Sequence, residues 1–224
     1  MPHVEILFPY AGKVVPSGKA DDYSVRVRVE NWSGRVQLAL DGYRPVLVSG
    51  STVQIPLRAL VPADRDLQPG THRLFAVAVD DGGWVVRPSG PKSRGPFAVV
   101  EFRVGTTAPL SDEQPFLAYS QPRGTYNGDA AADSVFVDFY LVGVERYPER
   151  RIRVKITGSS GAWTEVLEQW RPLAIHGLPS GDYNVELTFL DGAGEPIEEV
   201  TRVGRTITVN RDAPLSSAAE ENRP

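Results

Sequence analysis

Between Tyr23 and Glu30 the chain changes character at every residue: Tyr23, Val25, Val27 and Val29 interleave with Ser24, Arg26, Arg28 and Glu30. A period of two sends alternate side chains to opposite faces, so this run predicts a strand with one dry and one wet face. Val36, Leu38 and Leu40, set between Arg35, Gln37 and Ala39, predict a second strand ending in the Asp41-Gly42 turn signal. Shorter extended runs are expected at Val4 to Phe8, Val46 to Val48 and Thr52 to Leu57, and longer ones at Arg73 to Val79 and Phe97 to Val104. The same order then starts again. Phe116 to Ser120, Asp133 to Val142, Arg151 to Thr157, Trp163 to Leu167, Trp170 to Ile175, Tyr183 to Leu190 and Val203 to Val209 are the expected strands of a second unit.

The alignment of the two halves hangs on one corner. Leu178-Pro-Ser-Gly-Asp-Tyr183 leads into an alternating strand and the turn Asp191-Gly-Ala-Gly194. Leu67-Gln-Pro-Gly-Thr-His72 leads into another and into Asp80-Asp-Gly-Gly83. Short strands with turns at regular spacing predict an all-β chain of two tandem antiparallel β-sandwich domains. The expected division is 1–105 for the first sandwich, 106–114 for a short linker, 115–210 for the second sandwich and 211–224 for a polar tail.

The corner residues Leu178, Pro179, Gly181 and Tyr183 resemble the corner before the penultimate strand of immunoglobulin-like and fibronectin type III-like modules, bacterial ones among them. That resemblance implies a tyrosine hydroxyl bonded back to nearby backbone. It covers Val4 to Val104 and Pro115 to Val209 as two copies. In the first copy His72 stands where the tyrosine is expected.

Composition narrows the function classes. The 224 residues carry 41% hydrophobic and 23% charged side chains, as a globular chain does, and 19 Pro with 21 Gly argue against long helices. The net charge of -4 is unevenly spread. Through Gly105, thirteen Lys/Arg against ten Asp/Glu give +3; from Thr106 onward, eleven against eighteen give -7. An acidic protein without a basic, aromatic-studded stripe is a poor nucleic-acid binder. Cysteine is absent, so neither disulfides nor thiol chemistry is expected. No apolar run is long enough to predict a transmembrane segment of its own, and the start is not a basic-then-apolar leader. The chain as written is expected in the cytoplasm, or in the periplasm or outside the cell if a leader has been removed.

Chemistry-bearing clusters are scarce. His3, His72 and His176 are scattered, none at ligand spacing from another, so no metal is expected. Asp21-Asp22, and Asp129 with Asp133, fall in equivalent loops without the alternating oxygen ligands of a calcium loop. No Gly-x-Ser-x-Gly elbow is present. Neither a catalytic role nor a cofactor is expected.

Surfaces are the better candidates. The first copy has a long Gly/Pro loop over 80–96, in which Trp84 could anchor a partner with Arg87, Lys92 and Arg94 at its rim. The alternative is that Trp84, Val85 and Val86 extend the hairpin and pack. If His72 points inward like Tyr183, then Phe75, Val77 and Val79 face away from the core and need a cover: a partner, the other domain or the loop itself. A register one residue out would reverse every assignment. These features predict a non-catalytic protein-binding or structural accessory subunit that docks on a larger protein assembly, which could be membrane-associated. A carbohydrate-binding module, with Trp32, Trp84, Trp163 or Trp170 as sugar platforms, is the alternative.

Overall fold

The structure, a computed structural model, describes residues 1–41, 43–87, 95–105, 116–122, 124–142, 151–169, 171–197 and 203–213. The chain divides into two compact units, with the division between residues 112 and 113.

The N-terminal unit contains β1 (His3–Phe8), β2 (Val14–Val15), β3 (Ser24–Glu30), β4 (Arg35–Leu40), β5 (Val46–Ser49), β6 (Thr52–Pro56), β7 (Gly70–Val79) and β8 (Phe97–Val104). They form a three-stranded sheet, β1-β3-β6, and a five-stranded sheet, β2-β8-β7-β4-β5. The C-terminal unit contains β9 (Phe116–Gln121), β10 (Thr125–Asn127), the short helix α1 (Asp129–Ala132), β11 (Ser134–Val142), β12 (Arg151–Gly158), β13 (Gly161–Leu167), β14 (Leu173–His176), β15 (Gly181–Leu190) and β16 (Val203–Asn210). Its sheets run β14-β11-β9 and β10-β16-β15-β12-β13. The second pair of orders is the first with every strand number advanced by the same step, so the duplication extends from the corner motif to the whole strand plan. The fold is two tandem β-sandwiches.

Pairing is antiparallel except where β2 joins β8 and β10 joins β16 in parallel. Both exceptions are too short to show a period in the sequence. They cover the outer edge of the last strand in each unit, which would otherwise present free backbone groups.

Alternation decides what each sandwich buries. In β3, Val25, Val27 and Val29 turn inward while Arg26, Arg28 and Glu30 stay exposed. The N-terminal core also takes Leu38, Leu40, Leu74, Phe102 and Val104; the C-terminal core takes Val137, Phe139, Ile152, Val154, Leu187 and Phe189. The two clusters share no residue. Each fully buried large side chain contributes about 1.5–3 kcal/mol, so each unit has a core of its own.

Leu74, Ala76 and Ala78 belong to the N-terminal core cluster, which fixes the register of β7. Phe75, Val77 and Val79 therefore lie on the other face. There they are 1%, 0% and 0% exposed, alongside buried Gln37 and Ala39 of β4. The outer face is covered by the chain itself.

Candidate functional site

Each sandwich has three features that can carry function: the corner, the acidic-glycine turn beyond it, and the outer edge of its five-stranded sheet.

At the C-terminal corner, Tyr183 is 4% exposed and its hydroxyl donates to the Pro179 carbonyl at 2.9 Å. At the N-terminal corner, His72 Nε2 lies 2.7 Å from the Gln68 carbonyl oxygen. Gln68 is four residues before His72, as Pro179 is before Tyr183. The histidine thus performs the tyrosine's bond. Gly70 and Gly181 sit at the same step of the two corners with φ of 146° and 153°, a conformation that a side chain would strain. Replacing Tyr183 by phenylalanine removes the bond but keeps the ring. It is expected to lower the stability of the C-terminal sandwich by about 0.5–1.5 kcal/mol, measurable by urea denaturation.

The corner at His72 holds one thing more. Its Nδ1 lies 2.8 Å from Asp41 Oδ2, and Asp41 Oδ1 accepts the Arg73 backbone N–H at 2.8 Å. Burial of the ring works against its charged form. The bonds to Asp41 and to the Gln68 carbonyl, with the charge of Asp41, outweigh burial and raise the His72 pKa above its ordinary 6.5.

The turns are duplicated atom by atom. Asp80 N–H donates to Trp84 O and Gly83 N–H to Asp80 O; Asp191 N–H donates to Glu195 O and Gly194 N–H to Asp191 O. In both, the aspartate Oδ1 accepts backbone N–H groups of the turn. The first residue of the neighbouring strand braces each turn, Arg35 donating to Asp81 O and Arg151 to Gly192 O. Trp84 therefore stands where Glu195 stands, and Val85 and Val86 where Pro196 and Ile197 stand. Val85 bridges Val79 as Pro196 bridges Leu190.

This places the residues expected to bind a partner. Trp84 is half-buried over the turn, close enough that a Cβ on Gly82 would fall 2.6 Å from its ring. Val85 is buried and Val86 packs on the core, so the stretch extends the hairpin. Arg87 Nη1 donates to Val85 O at 3.2 Å. Lys92 and Arg94 lie outside the described residues. Phe75, Val77 and Val79 are buried in the chain as it stands, and a partner would reach them only by displacing their cover.

Of the tryptophans, Trp32 packs against the core with Nε1 donating to Arg35 O at 3.2 Å. Trp170 lies outside the described residues. Trp163 is 43% exposed on β13, the outermost strand of its sheet among the described residues, where Val166 is 40% exposed. The sequence offers Trp163 as a sugar platform and marks β13 with no docking role. Its alternation is ordinary, and only the strand order shows it to be an edge. Elsewhere, exposed Tyr10 lies edge-on to Phe8, whose ring stacks on Tyr23 at 5.8 Å. Lys13 Nζ sits 5.8–5.9 Å from all three rings.

The acidic loops are engaged within the fold. Asp129 and Asp133 both accept from Arg211 Nη1, whose Nε donates to Leu178 O and Nη2 to Ala132 O. Arg211, assigned to the tail by composition, ties α1 to the corner. Residues 214–224 lie outside the described residues. Asp22 pairs with Lys19. Ser134 Oγ and His176 Nδ1 meet at 2.9 Å on paired residues of β11 and β14.

No protein-family model matches the sequence, and no curated protein matches it. Among solved structures, the fibronectin(III)-like modules of Clostridium thermocellum CbhA are similar at 13% identity, with 92% of this chain and 94% of that one covered and a TM-score of 0.31. The two fibronectin type III domain segment of chicken tenascin is similar at 12% identity over 92% of this chain and 98% of that one, TM-score 0.25. A 1.5-MDa bacterial ice-binding adhesin is similar at 14% identity over 94% of this chain and 65% of that one, TM-score 0.27. These likenesses concern the fold.

Proposed function

We propose that this chain is a non-catalytic interaction module, an accessory subunit that docks on a larger protein assembly, membrane-associated assemblies included, and that β13 is a docking edge. The observation that carries the reading is the character of that strand. β13 is seven residues long, holds continuous register with β12 on one side, and is the end of its sheet on the other among the described residues. Sheet edges are a template for further strands, and soluble proteins usually blunt them with proline, lysine or a bulge. Gly161-Ala-Trp-Thr-Glu-Val-Leu167 has none of these. It displays Trp163 and Val166 to solvent instead. An extended segment of a partner can add to this edge through backbone bonds, with the indole as a side-chain anchor.

The test is native purification from the source cell under gentle conditions, followed by the variants Trp163→Lys and Val166→Pro. The reading expects a defined partner to copurify with the wild type and to be lost at least tenfold from both variants while circular dichroism shows the sandwiches intact. A lone monomer, or variants that retain the partner fully, would contradict it.

A carbohydrate-binding role is the second reading, favoured by the exposed ring of Tyr10 beside the Phe8–Tyr23 stack. A glycan array with a Tyr10→Ala control decides it: binding that Tyr10→Ala abolishes supports a sugar platform, and a silent array removes it.

A further inference from the structure

The two corners differ in one respect that changes their physics. Tyr183 holds its corner through its hydroxyl, donated to the Pro179 carbonyl. His72 stands between two groups that can only accept: a carboxylate oxygen 2.8 Å from Nδ1 and a carbonyl oxygen 2.7 Å from Nε2. Both ring nitrogens must donate to satisfy them, and only the imidazolium carries two N–H groups. A neutral ring would keep one bond and turn a lone pair toward the other acceptor.

The surroundings leave Asp41 as the charge that faces the ring. On β8 the neighbour is Phe102, its ring centroid 5.7 Å away. Glu101 and Arg103 flank Phe102 and point to the opposite face, where Glu101 pairs with Arg73 and Arg103 donates to Gly12 O. On the corner segment, Asp64, Arg65 and Asp66 are exposed, as is Arg44 beyond the β4 turn. Asp41 is braced from its other oxygen by the Arg73 amide. The ring itself is 7% exposed, so water is poorly placed to replace a lost bond.

We propose that the His72 imidazolium is a pH-sensitive latch on the N-terminal sandwich: protonated, it clips the β4 turn to the corner, and on losing a proton it releases one of them, while the C-terminal corner stays closed. The raised folded-state pKa gives the sign. The latch is fully closed below the unfolded histidine value of about 6.5, and its contribution is lost as pH rises through the higher folded value. Loosening therefore accompanies alkaline conditions, and tightening accompanies mild acid.

The experiment uses the full chain. Ring 15N spectra are followed from pH 6 to 9, with His3→Gln and His176→Gln assigning the other two histidines. Amide exchange at residues 70–73 and 181–184 is measured in parallel and corrected for intrinsic rates. The latch predicts a doubly protonated His72 ring at pH 6. It also predicts an N-terminal corner whose opening equilibrium rises by up to about tenfold per pH unit within the window. The C-terminal corner should stay flat. Exchanging His72 for the tyrosine of the other corner, together with Asp41→Asn, which tolerates the φ of 50° held by Asp41, should flatten the N-terminal profile as well. Should that double variant not fold, Asp41→Asn provides the check, since it must lower the ring's pKa. A ring already neutral at pH 6, a pKa unmoved by Asp41→Asn, or two equally flat corners would overturn the proposal.

Discussion

Replacing Phe102 by alanine is expected to cost the N-terminal sandwich about 3–5 kcal/mol. Phe102 is wholly buried, lies on β8 opposite His72, and contributes to the cluster of Val25, Val27, Leu38, Leu40 and Leu74. Truncation removes a ring from between the two sheets, where strands hydrogen-bonded on both sides cannot close inward to fill the space. The penalty is thus a transfer loss plus a cavity. Because the two core clusters share no residue, the loss falls on N-terminal reporters in a urea titration. A penalty below about 1 kcal/mol, the level of a surface substitution, would show that Phe102 is not a core residue.

The second large effect is expected from a methyl group. Gly158→Ala should destabilise the C-terminal sandwich by about 1–3 kcal/mol. A Cβ on Gly158 would fall 2.5 Å from both Cδ1 and Cε1 of Tyr183 and 3.4 Å from the Asp182 carbonyl oxygen. The ring cannot swing aside cheaply, since it is buried and its hydroxyl is bonded to Pro179 O. The variant must either lose that bond or part β12 from β15, which pair at this point through Gly158 and Tyr183. Coupling distinguishes this cause from ordinary hairpin strain: in a Tyr183→Ala background the added methyl should cost little, giving a clear interaction energy in a double-mutant cycle. Equal penalties in both backgrounds would mean that the tyrosine is not what the methyl meets.

The strand plan was readable because alternation is local. Val25, Val27 and Val29 announce their face within seven residues, and the two corners match in sequence as they match in space. What could not be read depends on neighbours far along the chain. The register of β7 turned on which of two interleaved sets, both largely apolar, met the opposite sheet; a slip of one residue would have inverted it. His72 could be seen to replace a tyrosine, but its second partner, Asp41, is 31 residues away and arrives through the pairing of β4 with β7. The edge character of β13 is a property of strand order, and no composition announces it. Arg211 looked like tail because its partners lie on α1 and the corner rather than beside it. A tryptophan in a Gly-rich loop suggests an anchor, and only the structure shows that the turn Trp84 closes is the counterpart of the acidic turn in the other half.

The claim on which the rest stands is that each half folds around its own core, closed by its own corner. Aromatic-to-methyl NOEs in the full chain test it most directly. The account predicts that the Phe102 ring contacts methyl groups of the cluster containing Val27 and Leu38, and that the Phe139 ring contacts the cluster containing Val154 and Leu187. NOEs from Phe102 to Leu187, or from Phe139 to Val27, would reveal one shared core and contradict it.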